Sequence, residues 1–325
     1  MQKLIWLFLC FFLVPPPSQG AARQLHLGVV TAPGAAQNIA AERFKKILED
    51  SSDGQLTVKI SHSASIGDET KILQQLQKGT IQLAVVTLKS LESFTPIVRV
   101  INYPFLFESP QQADEILDGP LGKEIFNALD PLGFKGLAFS ENGFRSLSNS
   151  RQPVKTADDV KGLKIRVTSA PLHKATWQAL GALPTPMPWP IYSDLERGVI
   201  DGQENPLWVM EVYNFFEVQK YLTTTNHTYS AHIDLASTLW WKKQSAQTQQ
   251  LVQNAMYQAA VYQRQANRAD EAERLQVLKE KGMIVEEHPD IQSFRTKVAD
   301  LKGLDFYQEP QVQKLLVKIL EATGR

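Results

Sequence analysis

The residues best suited to chemistry lie between Asn142 and Pro206. Arg145 follows Asn142-Gly143-Phe144, Arg166 stands in Leu163-Lys164-Ile165-Arg166-Val167, and Asn205 closes Asp201-Gly202-Gln203-Glu204-Asn205-Pro206. Each sits on or at the end of a strand-like stretch, and in open α/β sheets ligands bind outside the carboxyl ends of strands. A guanidinium there suits a carboxylate, because its planar fork makes two parallel hydrogen bonds to the two oxygens. An amide such as Asn205 can both donate and accept. The alternative for Arg166 is an ordinary surface ion pair.

Catalytic templates do not fit. His26, His62, His173, His227, His232 and His288 show no His-x-His or His-Glu-x-x-His spacing. The one cysteine, Cys10, cannot complete a zinc site, so neither a metal nor a cofactor is expected. His227 and His232, flanked by strands, read as structural. No Gly-x-Ser-x-Gly elbow occurs, and Gly119 to Glu124 is a helix start rather than a phosphate loop. Asp158 and Asp159 fall in a first helical turn, where acids favour the helix dipole. Asn226 to Thr228 is a glycosylation sequon by letters only.

The elements that would hold these residues alternate. Leu25 to Val30 and Leu56 to Ser61 read as strands, with a helical face at Ile39, Ala40, Phe44, Ile47 and Leu48 between them. Asp68 caps a helix carrying Ile72, Leu73 and Leu76 that Gly79 stops, and Ile81 to Thr87 is a covered strand. Ser109-Pro110 and Gly119-Pro120 open two short helices. Strands are expected at Phe134 to Glu141, Phe144 to Ser148 and Leu163 to Val167, then a helix from Pro171 to Leu180 and another opening at Pro190. Paired strands follow near Tyr221 to Thr225 and Tyr229 to Leu239. Ser245 caps a run without Gly or Pro to Gly282, which as one helix would be about 55 Å long and would bridge two lobes.

Two local patterns match: Leu76, Lys78, Gly79, Ile81, Gln82 and Leu195, Arg197, Gly198, Ile200, Asp201. Both read as helix, basic residue, glycine cap, strand. This is either an internal repeat or two ordinary helix exits. The βαβα order and the length of 325 residues predict an α/β chain of two lobes. The lobes are expected to be 23–143 plus 232–270, and 144–231 plus 271–325, around a cleft.

Composition sets limits on partners. The chain has 34 Lys plus Arg and 34 Asp plus Glu, so no net field draws it to nucleic acid or an anionic membrane. Lys3, the apolar run Leu4 to Val14 and the small residues near Gly20 predict a cleavable signal peptide over 1–22, too short for a membrane span. Its removal takes Lys3 and Cys10 with it and leaves an exported chain without cysteine.

The chain resembles a solute-binding protein of the tripartite ATP-independent periplasmic (TRAP) transporters, DctP type, over essentially its whole mature length. The resemblance rests on Ile66-Gly67-Asp68-Glu69 with Leu76 and Gly79, Tyr103-Pro104-Phe105-Leu106-Phe107, Gly162 to Val167, Pro184-Thr185-Pro186-Met187 and Asp201 to Pro206. It implies a two-lobed periplasmic receptor, not an enzyme, that binds a small carboxylate and hands it to membrane subunits of the transporter. It also implies that Arg166 clamps the carboxylate, that Arg145 and Asn205 orient the ligand, and that Trp189 supplies an aromatic wall. The loop after Trp189 departs from the family pattern, being one residue short and lacking an acid before Tyr192. Asn38, Glu69 and Thr87 are the candidates from the first lobe, with Glu69 counted among the binding residues. The rival readings are a receptor feeding a signalling protein and a secreted lyase or hydrolase using Glu204 and Asn205.

Overall fold

The computed structural model describes residues 22–325 except residue 270. The expected signal segment lies, but for Ala22, outside these residues. Among the described residues no helix is long and apolar enough to cross a membrane.

The first unit runs β1 (Arg23–Gly28), α1 (Ala36–Ser51), β2 (Leu56–Ser61), α2 (Glu69–Lys78), β3 (Leu83–Thr87). Two helices, α3 (Pro110–Leu117) and α4 (Pro120–Leu129), lead into the long strand β4 (Phe134–Asn149). The second unit is β5 (Lys164–Val167), α5 (Pro171–Ala179), β6 (Leu183–Pro186), α6 (Tyr192–Glu196), β7 (Gly202–Asn205). Next come α7 (Leu207–Val212), the long strand β8 (Tyr221–Ser237), α8 (Thr238–Trp241), α9 (Ala246–Ala269), α10 (Glu271–Glu280), β9 (Ile284–Glu286), α11 (Ile291–Val298) and α12 (Pro310–Ala322). The strands form one sheet in the order β2-β1-β3-β8-β4-β7-β5-β6, with β9 beside β8.

That order is nearly a palindrome: each unit contributes three parallel strands with its first in the middle, and β8 and β4 stand between them. The two matching sequence patterns are the same structural joint. Gly79 and Gly198 end α2 and α6 in left-handed conformation, φ 72° and 67°, which only glycine adopts without steric cost. Gln82 then donates its N–H to the His26 carbonyl (3.0 Å) and accepts the His26 N–H at Oε1 (2.9 Å). Asp201 does likewise with Lys164, backbone to carbonyl at 2.8 Å and N–H to Oδ2 at 2.8 Å. The pattern is therefore a repeat of βαβ architecture, in which a side-chain oxygen extends the strand pairing by one bond.

Four strands expected from the sequence prove to be two. β4 and β8 run unbroken and antiparallel between the lobes, bent where the register shifts at Gly136/Ala138, Glu141/Gly143 and Arg145/Leu147. Asn142-Gly143 and Asn226, which fall between the expected strands, are bulge residues, with Gly143 at φ 118° and Asn226 at φ 45°. At the central bulge the lost ladder bonds are replaced from α9: Gln263 accepts the Glu141 N–H (2.8 Å) and donates to the Glu141 carbonyl (2.8 Å).

The expected single helix over 246–282 is described as α9 and α10, on either side of residue 270. Ala255, Met256 and Ala259 of α9 bury against Phe44 and Leu48 of α1, whereas Leu278 of α10 joins Trp208 and Met210 of α7 in a separate core. The run thus bridges the lobes, as its length suggested. At the C-terminal end of the described chain, Leu315, Leu316 and Ile319 of α12 bury in one core with Ile97 and Val100, and Lys318 reaches Glu124 at 2.7 Å.

Gly143→Ala should cost about 1–3 kcal/mol, because the bulge holds this position at a positive φ that a residue with a Cβ disfavours. Denaturant unfolding measures this; wild-type stability would mean that the bulge does not need glycine.

Candidate functional site

The carboxyl ends of β3, β5, β6 and β7 converge on a cleft of about 1110 Å³. Glu69, Thr87, Lys89 and Ser90 line it from the first lobe, Arg166, Met187, Trp189 and Asn205 from the second, and Arg145 and His232 from the crossing strands. The repeat explains this placement, since two units related across β8 and β4 direct equivalent strand ends at one another.

In β5, Ile165 and Val167 are fully buried in the core, so alternation turns Arg166 to the other face, towards the cleft. Its Nε and Nη2 both donate to the Met187 carbonyl, at 3.0 and 2.7 Å. One edge of the guanidinium is thereby fixed. No carboxylate of the described residues lies within ion-pair distance of it. Burial, then repulsion from Arg145, lowers its pKa to about 10, with Glu204 opposing the shift. Its Cζ is 6.0 Å from the Trp189 ring centre. Trp189 stands edge-on to Tyr213 at 4.7 Å and, being 38% exposed, presents a face at the cleft rather than filling a core.

Arg145 is differently placed. Its Nε and Nη2 hold both carboxylate oxygens of Glu204, with Nη2 to Oε1 at 2.7 Å, and Nη2 also reaches Asn205 Oδ1 at 2.8 Å. Asn205 donates in turn to Gln203 Oε1. The two residues expected to orient a ligand thus hold each other, and Arg145 brings a charge that is already matched. Glu204 also faces His173 Nε2 at 2.7 Å and His227 Nε2 at 3.0 Å. His173 Nδ1 accepts the Thr168 N–H at 3.1 Å, so the ring proton lies on Nε2, towards Glu204. Burial, then Lys89, pushes the His173 pKa down to about 3, so that imidazole is neutral, and burial also lowers the pKa of His227. Burial alone would raise the Glu204 pKa; Arg145 and the histidines outweigh it and hold the carboxyl well below its ordinary range.

On the first lobe, Glu69 follows the capping residue Asp68, whose side chain accepts the Lys71 N–H. Glu69 Oε1 accepts from Gln37 Nε2 (2.6 Å), the Thr87 N–H (2.8 Å) and Thr87 Oγ1 (3.0 Å), and Oε2 accepts from Ser90. It ties α1, α2 and the exit of β3 together at the cleft wall. Thr87 lines the cleft; Asn38 does not, its Oδ1 accepting the Gly34 N–H at 3.2 Å. Sequence reasoning missed Lys89 and the Glu204–His173–His227 cluster. The position of Lys89 just beyond the end of β3, matching the strand-end logic used for Arg166, was the signal available.

Among the described residues no group of three or more His, Cys, Asp or Glu could hold a metal ion. Residues 27–307 match the bacterial extracellular solute-binding protein family 7, DctP. The 2,3-diketo-L-gulonate-binding periplasmic protein of Escherichia coli is 34% identical over 266 residues, 82% of this chain and 81% of that one. A TRAP periplasmic solute-binding protein from Polaromonas, solved bound to D-erythronate, is 32% identical with a TM-score of 0.86, covering 91% of this chain and 97% of its own. The sugar acid binding protein of Advenella mimigardefordensis, in complex with galactonate, is 31% identical with a TM-score of 0.86, covering 93% and 99%.

Glu204→Gln should destabilise the chain by about 3–5 kcal/mol, since it leaves the Arg145 charge buried and unmatched. Chemical denaturation reads this directly, and a loss under about 1 kcal/mol would show the pair to be unimportant to the fold.

Proposed function

The chain belongs to the TRAP transporter solute-binding proteins of the DctP type, and from that premise we propose that it is a periplasmic receptor which closes on a small organic acid and delivers it to transporter membrane subunits. The observation that carries the ligand assignment is Arg166: a buried guanidinium, anchored on one edge by the Met187 carbonyl, with no carboxylate of the described residues in contact. A buried cation without an anion is costly, and a ligand carboxylate supplies the missing charge. In this reading Arg166 clamps, Arg145 and Asn205 fix the floor behind the ligand, Trp189 walls it and Glu69 holds the first-lobe side in place.

The volume of the cleft suits an acid larger than a two- or three-carbon fragment. The hydroxyls of Thr87 and Ser90 on the opposite wall donate to Glu69, and their oxygens keep lone pairs that can accept from a hydroxylated chain. D-erythronate and galactonate, seen in relatives, are acids of this kind. Export by a signal peptide over 1–22 fits this role. The enzyme reading is weaker because Glu204, its candidate base, has both oxygens engaged and a depressed pKa.

Arg166→Ala should weaken binding by about 3–5 kcal/mol, or roughly 150- to 5,000-fold in Kd. Arg166→Lys should also bind poorly, having charge without the fork. A thermal-shift panel of glycerate, threonate, gluconate, glucuronate and succinate identifies a binder, and titration calorimetry on the folded variants gives the ratio. Near-wild-type affinity in Arg166→Ala would overturn the clamp.

A further inference from the structure

Lys89 lies in the short helix Leu88–Ser93 that follows β3, on the first-lobe side of the cleft, and is buried. It lines both the main cleft and a void of about 10 Å³ beneath it, shared with Glu92, Asn102, His173 and His227. An ammonium has three donors to place. Here Nζ has one acceptor, His173 Nδ1 at 3.3 Å, and that atom already accepts the Thr168 N–H. No carboxylate of the described residues is within ion-pair distance. Glu92, on the same helix, is taken by Arg99 (3.2 Å) and Asn102 (3.2 Å), and Glu204 is taken by Arg145 and the two histidines.

A lysine kept for the fold would be paired, because a buried charge with one weak acceptor destabilises the protein that carries it. The open directions for its donors are the small void and the cleft, and only the cleft has room for more than a single water. We propose that Lys89 is a ligand-contacting, specificity-determining residue, its ammonium donating to a hydroxyl or carbonyl oxygen on the ligand chain beyond the carboxylate. This rests on the reading that an organic acid occupies the cleft with its carboxylate on Arg166. The two cations stand on opposite lobes, so an acid that touches both spans the cleft.

The charged and titratable groups around Lys89 come from every packed element: Glu92 on its own helix, Arg145 on β4, Arg166 on β5, His173 on α5, Glu204 on β7 and His227 on β8. Burial, then Arg145, lowers the Lys89 pKa to about 8, against the pull of Glu204 and Glu92. A ligand that brings an anion and an acceptor oxygen raises it again. Binding at pH 8 therefore draws a fraction of a proton from solvent onto Lys89.

The test uses the exported chain and whichever of glycerate, threonate, gluconate and glucuronate stabilises it most. Calorimetric titration at pH 8 in phosphate and in Tris, whose ionisation heats differ, measures affinity and proton uptake together. Wild type should take up part of a proton. Lys89→Met should take up none and bind at least tenfold more weakly, while its ligand-free melting temperature is equal to or above that of wild type. Unchanged affinity, or a weakening that comes with a lowered melting temperature, overturns the proposal. If Arg166→Ala loses binding and Lys89→Met does not, only the Lys89 inference falls. If Arg166→Ala binds normally, or no acid binds wild type, the carboxylate reading falls first and the Lys89 inference with it.

Discussion

Arg145 and Glu204 are buried against each other at the floor of the cleft, with His173 and His227 beside the carboxylate. Two opposite charges there cost several kcal/mol each to desolvate, and they survive because each satisfies the other. This pair sets the charge of everything above it. It consumes the positive charge of Arg145, takes up the Glu204 carboxylate, and leaves Arg166 and Lys89 as cleft-lining cations without a carboxylate in contact. The cleft is consequently poised for an anion.

The pair also locates the cleft. Arg145 comes from a strand that crosses between the lobes, Glu204 from β7 of the second unit, and His227 from the other crossing strand. The ion pair is therefore made where the two βαβ units meet, at the point where β4 shifts register. Bulges there let β4 and β8 bend without losing continuity, and Gln263 from α9 takes over the bonds that the central bulge gives up. Few connections suit a hinge that moves lobes as bodies.

Features carried by neighbouring residues were legible in the sequence. The Asp68 cap, the Gly79 and Gly198 stops and the Pro110 and Pro120 helix starts all lie within a few residues of what they control. Arg166 stood out as a charge in an apolar strand, and the family resemblance then carried its role. Long-range partners were not legible. Lys89 reads as a surface lysine until His173, 84 residues later, buries it; Arg145 reads as a free cation until Glu204, 59 residues later, matches it. The bulge at Asn142-Gly143 was not legible either, because it is set by the register against β8 and supported by Gln263 of α9, both far along the chain. The packing of α12 depends on Ile97 and Glu124, which no local pattern connects to residues 310–322.

A crystal structure of the chain with its best-binding acid tests the central claim most directly. The ligand carboxylate should lie within about 2.7–2.9 Å of the guanidinium nitrogens of Arg166, while the bonds to Met187 persist and Glu204 remains on Arg145. A carboxylate seated elsewhere in the cleft, with Arg166 bonded only to Met187, would contradict it.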